Sequence, residues 1–267
     1  MYGDAHKSRS KRRLALLVVL VLVIGLPFIR MGILSPRIHP LNPPPPPGDL
    51  LWSADQETGN LSQWTQGQFG EAVFNTGSGD IAITSDVAHS GTHALKLSIS
   101  GANGTTQAAR LLRWNDNPIE GYYSVWFDFP QVYRPAEWWN VFQFKSMGAE
   151  NDPMWVLNIG NRPDGSMFFY LWDALTQTSY SPLNHVDVSP QQWTEVTAYY
   201  RRATDRTGRI TIWQNGTLIF DVDQVQTAIA NNVHWGIGNY TDNISPSDAT
   251  IYADDAEIHT VAHPQSP

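Results

Sequence analysis

The chain contains no cysteine. That excludes a disulfide framework, thiolate metal sites and a cysteine nucleophile. It leaves export open, because a chain of 267 residues can bury enough apolar surface without covalent staples. Positive charge is also scarce. Ten of the 17 Lys and Arg fall after residue 48, against 24 of the 25 Asp and Glu, so residues 49–267 carry a net charge of about −14. Nucleic acid needs a basic footprint for its phosphates, so a domain this acidic will not bind it through its net field. Nor does the field attract acidic polysaccharides from a distance. Screening beyond about 8 Å nevertheless allows a local basic cluster to hold a carboxylate. A glycine-rich nucleotide loop, a Gly-x-Ser-x-Gly elbow and a His-Glu-x-x-His pair are all missing.

One long apolar run is present. Residues 14–29 hold no charged side chain and follow Lys7, Arg9, Lys11, Arg12 and Arg13. As a helix the run spans about 24 Å, short of a hydrocarbon core of about 30 Å. Residues 31–34 extend it past Arg30, which can snorkel. No small-residue cleavage site follows in Gly25-Leu-Pro27-Phe-Ile-Arg30. The basic flank places the N-terminus in the cytoplasm. The expected organisation is a cytoplasmic basic tail (1–13), a single-pass transmembrane signal anchor (14–34), a Pro-rich linker (35–48) and an extracytoplasmic domain (49–267). The alternative is a secreted domain released by signal cleavage. Pro36, Pro40 and Pro43 to Pro47 favour polyproline II, a semi-rigid spacer.

Within 49–267 no segment sustains a helical period. Short β-branched and aromatic runs bounded by Gly, Pro, Asn and Asp predict strands at 81–84, 94–100, 108–113, 121–129, 138–145 and 154–159. Further strands are expected at 167–172, 193–201, 209–214, 218–222, 233–238 and 250–258. Gln214-Asn-Gly-Thr217 reads as a hairpin with a type I′ turn. Residues 204–208 read as a second turn, and 224–230 as a short helical turn. So many short strands imply an all-β fold of two packed antiparallel sheets, a sandwich or jelly roll. Along 122–129, Tyr123, Val125, Phe127 and Phe129 form a core face. Tyr122, Ser124, Trp126 and Asp128 form the other, whose mixture of rings and polar groups suits a carbohydrate surface. Tyr122 and Trp126 are therefore candidate substrate-binding residues, although strands favour aromatics without any ligand.

Three further groups of residues carry a resemblance. The opening Asp55-Gln-Glu57-Thr-Gly59-Asn-Leu-Ser-Gln-Trp64 is one. The pair Tyr123-Ser-Val-Trp-Phe-Asp-Phe-Pro130 and Trp139-Asn-Val-Phe-Gln-Phe-Lys145 is another. Trp193-Thr-Glu-Val, Ile212-Trp-Gln-Asn-Gly216 and Ile251-Tyr-Ala-Asp-Asp255 complete them. Over most of 50–260 the chain resembles the concanavalin-like jelly-roll polysaccharide lyases of the heparin lyase I and glucuronan lyase type. Part of the pattern belongs to the fold and is shared with laminin-G-like binding modules and glycoside hydrolases. The resemblance implies β-elimination at a uronate. A donor offsets the carboxylate charge, a base takes the neighbouring proton, and an acid protonates the leaving oxygen.

The resemblance also implies a Gln-x-His pair on a central strand and a Lys…Tyr pair on a later one. Here the first reads Gln143-Phe-Lys145, with lysine in place of histidine; period-2 spacing puts both on one face. The second reads His234-Trp-Gly-Ile-Gly-Asn-Tyr240, with His234 near the lysine position and Tyr240 about two residues late. The catalytic candidates are Gln143, Lys145, His234 and Tyr240. Tyr240 or His234 would serve as base, and Gln143, Lys145 and Asn239 as donors, with Asn239 also counted as substrate-binding. No cofactor is required. A structural calcium ion is a further expectation, tying the first strand to the last through Glu57 and Asp255, with Asp55 or Asp254 as helpers. Expected partners are a uronate-containing polysaccharide and, through the N-terminal helix, a membrane. Two other readings stay open: a non-catalytic glycan-binding module on the same fold, and a purely structural surface domain.

Overall fold

Met167–Asp173 alternates buried and half-buried side chains without a break, the mark of a strand with one face in a core. That alternation recurs along the chain. The computed structural model describes residues 43–45, 47–64, 72–113, 117–146, 153–230 and 233–262. All of them belong to one unit, His39–Pro267. In chain order the strands are β1 (Pro47–Ala54), β2 (Asp80–Thr84), β3 (Ala94–Ile99), β4 (Asn103–Arg113), β5 (Glu120–Asp128), β6 (Arg134–Pro135), β7 (Asn140–Ser146) and β8 (Pro153–Asn161). They continue with β9 (Met167–Asp173), β10 (Thr178–Tyr180), β11 (Thr194–Arg201), β12 (Gly208–Gln214), β13 (Thr217–Val225), β14 (Val233–Ser245) and β15 (Ala249–Val261). Among the described residues one 3-10 turn, Leu61–Gln63, lies between β1 and β2.

Two antiparallel sheets form a sandwich of jelly-roll type. The first runs β13-β12-β11-β5-β15-β3-β2, with β1 also paired to β15; the second runs β10-β9-β8-β7-β14-β4, with β6 paired to β14. Trp64, Trp139, Trp155, Trp235, Tyr123 and Phe127 are fully buried between them. Phe144 of the second sheet stacks on Tyr200 of the first, centroids 3.9 Å apart and rings 11° from parallel. Each large aromatic in such a core contributes about 3–5 kcal/mol against truncation to alanine.

All twelve expected strands are present. The hairpin turn has positive φ at Asn215 (48°) and Gly216 (73°), as a type I′ turn requires. Three strands lie outside the expectation: β1, β6 and β10. The helical turn expected at 224–230 is absent. β13 extends to Val225, and the amides of Thr227 and Ala228 both donate to the Ala203 carbonyl, so this backbone is pinned beside the end of β11. β1 begins at Pro47, inside the run read as linker, and Pro43 and Pro45 line a cavity on the outer face of the first sheet. The basic tail and the apolar segment 14–34 lie outside the described residues. Among the described residues no helix is long and apolar enough to cross a membrane.

Candidate functional site

The outer face of the second sheet holds a cavity of about 760 Å³. Its floor is set by parity along the strands. On β7, Phe142 and Phe144 enter the core, while Gln143 and Lys145 face outward. On β9, Met167, Phe169 and Leu171 enter the core, while Phe168, Tyr170 and Trp172 line the cavity. β14 lies between β7 and β4, with Gly236 opposite Gln143 and Gly238 opposite Arg110. A Cβ at Gly236 would meet Leu112 Cδ2 at 2.2 Å, and one at Gly238 would meet Arg110 Cγ at 2.8 Å. The two glycines thus make room for the Leu112 and Arg110 side chains of β4 to pack over β14.

Gln143 is 1% exposed. Its Oε1 accepts from Asn140 Nδ2 at 3.0 Å, and its Nε2 has no partner among the described residues. An unpaired buried amide donor costs about 1–3 kcal/mol, so its presence at a cavity floor points to a ligand acceptor. Arg110 lies over the Tyr240 ring, 4.7 Å from its centroid, and its Nε donates to the Phe74 carbonyl at 3.2 Å. Burial lowers the Arg110 pKa. Burial also raises the Tyr170 phenol to about 12, and its hydroxyl donates to the Glu137 carbonyl at 3.2 Å. The cavity therefore sets two cations, an unpaired amide donor and the Tyr240 phenol against aromatic walls. Such a set can hold a carboxylate and present a phenol for proton transfer to a ligand bound there.

The structure brings together Gln143, Lys145 and Tyr240, all lining this cavity. His234 shares their face as the direct partner of Lys145 on β14, but it is fully buried and outside the lining. Burial first, then the charges of Lys145 and Arg110, hold its pKa down at about 3, so the ring is neutral. Asn239 points the other way. It is fully buried, its Nδ2 donates to the carbonyls of Leu97 and Ala249, and its Oδ1 accepts from Trp139 Nε1. It bridges the sheets and does not reach the cavity.

Tyr122 and Trp126 lie on the outer face of the first sheet, apart from this cavity. Tyr122 is buried beside Tyr199 and Trp213. The Trp126 ring is covered by His89, stacked at 3.8 Å. Sequence reasoning missed Arg110, Asn140, Tyr170 and Trp172. The rings at 168, 170 and 172 were visible as a period-2 set; nothing marked Arg110 apart from Arg113.

The tie expected from calcium is made here by hydrogen bonds. Both oxygens of Glu57 accept from the turn after β2: Oε1 from the amides of Thr92 and His93, each at 2.8 Å, and Oε2 from the Thr92 hydroxyl at 2.9 Å. Those donors hold its pKa at about 2. Asp255 accepts from the Ser90 hydroxyl and pairs with His89 Nδ1 at 2.6 Å. Buried Asp254 accepts from the amides of His89, Ser90 and Asp255. The carboxylates face N–H and O–H donors instead of a shared cation position, and the residues present do not fit an oxygen cage. Among the described residues, no three His, Cys, Asp or Glu side chains gather as a metal site would require.

Compared with known proteins, residues 56–257 match the model of a family described as polysaccharide lyase. The endo-β-1,4-glucuronan lyase of the fungus Trichoderma reesei superposes with a TM-score of 0.58 at 18% identity, covering 80% of this chain and 96% of that one. The cellulose induced protein Cip1 gives 0.54 at 16% identity, covering 80% and 99%. The alginate lyase Aly36B gives 0.53 at 13%, covering 79% and 98%. At these identities the likeness is one of fold. No curated protein sequence matches the chain.

Proposed function

This chain belongs to the polysaccharide lyase family, and on that premise we propose that it cleaves uronate-containing glycans by β-elimination in the cavity on its second sheet. The observation that carries the reading is the buried Gln143 Nε2, a donor without a partner among the described residues, in a cavity also lined by Arg110, Lys145 and Tyr240. In this reading the uronate carboxylate accepts from Gln143 Nε2, and Arg110 and Lys145 offset its charge. That neutralisation acidifies the adjacent C5–H, because the enolate-like state delocalises charge onto the carboxylate. Tyr240 takes the C5 proton and delivers one to the glycosidic oxygen on C4. The C5–H and C4–O bonds break, a C4–C5 double bond forms, and no electron acceptor is needed. His234, sealed from solvent, positions Lys145 and takes no part in proton transfer.

The apolar run 14–34 supports placing this activity at a cell surface, with the basic tail inside. One observation favours a second reading, a binding module without turnover: Lys145 stands where the resemblance implies histidine. The test is an ultraviolet absorbance assay of the purified full chain against polyuronates and glycosaminoglycans. Rising absorbance from the unsaturated product supports elimination. A chain shown to be folded that yields none from any substrate contradicts it and leaves the binding module.

A further inference from the structure

The cavity has two unlike halves. Arg110 on β4 and Lys145 on β7 supply positive charge at one end. The β8–β10 end is formed by Val156, Phe168, Tyr170, Trp172, Ser179 and Ser181, with no charged side chain among them. Between the halves the lining adds a carboxylate, Glu137, whose backbone carbonyl holds the Tyr170 hydroxyl. Little else in the domain can change this balance. Arg162 lies over Phe168, 4.5 Å from the ring centroid, but it is paired with Asp187 at 3.0 Å. The internal stretches 65–71, 114–116, 147–152 and 231–232 contain no Lys or Arg, and they include Glu71, Asp116, Glu150 and Asp152.

We infer that the glycan taken by this cavity carries an isolated uronate flanked by neutral sugars, and not a run of consecutive uronates. The inference rests on the elimination reading for the role of the cationic half. A homopolyuronate presents a carboxylate on every sugar. Those reaching the β8–β10 end would lose hydration against Phe168 and Trp172 with no countercharge, which is costly, within a domain of strongly negative field. A neutral sugar meets the opposite situation. Its apolar face stacks on Tyr170 and Trp172, which stand on one face two residues apart, about 7 Å along the strand. Its hydroxyls meet those of Ser179 and Ser181. The substrate class is thus a heteroglycan in which uronate alternates with neutral residues.

The test compares four probes on the full chain. Hyaluronan and deacylated gellan place a glucuronate between neutral sugars; glucuronan and alginate are all uronate. Binding is read by affinity electrophoresis of the Tyr240→Phe variant, and turnover by ultraviolet absorbance of the wild type. At least tenfold tighter binding of a heteroglycan is expected. Trp172→Ala should weaken that binding at least tenfold while changing glucuronan binding less than threefold. Ser179→Lys, at an exposed position that leaves folding intact, should improve glucuronan binding at least threefold. Equal or tighter binding of glucuronan or alginate by Tyr240→Phe without a second substitution overturns the inference, as does a folded chain that binds none of the four. Selective heteroglycan binding with no unsaturated product from any probe sinks the elimination reading and leaves this inference standing. Efficient elimination on glucuronan with slower turnover of both heteroglycans does the reverse.

Discussion

The two sheets each present an outer face that mixes rings with polar groups, yet among the described residues only the second keeps a buried hydrogen-bond donor without a partner at a cavity floor. On the first sheet several polar groups satisfy one another, although the buried Asp128 Oδ1 has no partner among the described residues. Arg209 forms a fork on Asp221, with Nη2 2.8 and 2.9 Å from its two oxygens. The Tyr199 hydroxyl donates to Glu120 at 2.8 Å, and Trp126 is covered by His89, itself paired with Asp255. On the second sheet Gln143 keeps a donor with no partner among the described residues at the floor of a large cavity. Aromatic–polar alternation alone therefore does not identify a glycan site. An unsatisfied buried donor under open volume separates a binding face from a well-packed one.

Substitutions should divide along the same line. The largest effect belongs to Tyr240→Phe, which removes the proton-transfer hydroxyl. A fall in kcat of about 10²–10⁴-fold is expected with an unchanged circular dichroism spectrum. Gln143→Leu comes next, with kcat/KM lower by about 10²–10³-fold, since it deletes the donor that meets the developing charge. Asn239→Ala should act on stability instead. Losing its bonds to Leu97 and Ala249 and stranding Trp139 Nε1 costs about 2–4 kcal/mol, a drop in Tm of about 5–15 °C by calorimetry.

Acidity gives the two sheets opposite signatures. On the second sheet, the His234 pKa falls from 6.5 to about 3. Its contribution to stability is present above pH 6.5 and lost as pH falls toward 3. On the first, burial raises Asp254 from 3.8 to about 6, against the pull of three backbone amides. Its contribution is present below pH 3.8 and lost as pH rises through 6. Denaturant melts across this range should therefore lose the acid-side decline in His234→Gln and the opposing slope in Asp254→Asn. A shared response in both variants would contradict the assignment. The smallest effect on turnover is expected for Trp126→Ala, which should leave kcat/KM within about twofold, because its ring lies on the other sheet under His89.

The fold was legible where strands such as β9 and β15 repeat their burial every second residue, and less so at β14, which is buried at seven consecutive positions. The missed strands explain themselves. β6 and β10 are only two and three residues long, and β1 opens with Pro-Gly at the end of a proline run. The site was legible in part for the same reason. Gln143 and Lys145 share parity on β7, as do His234 and Tyr240 on β14. Asn239, adjacent to Tyr240, has the opposite parity, and alternation sends it into the core. What local pattern cannot supply is which strands become neighbours. Arg110 joins Tyr240 only because β4 pairs with β14. Tyr122 and Trp126 are excluded only because β5 joins the other sheet. Both depend on pairings between residues far apart in the chain.

The central claim is that the second sheet's outer face performs elimination, and product mass tests it most directly. The full chain should be incubated with its best uronate-containing substrate and the fragments weighed by mass spectrometry. Elimination predicts new non-reducing ends lighter by one water than hydrolysis products, absent from digests with Tyr240→Phe. Saturated ends of hydrolytic mass, or unsaturated ends that persist undiminished in Tyr240→Phe, would contradict the account.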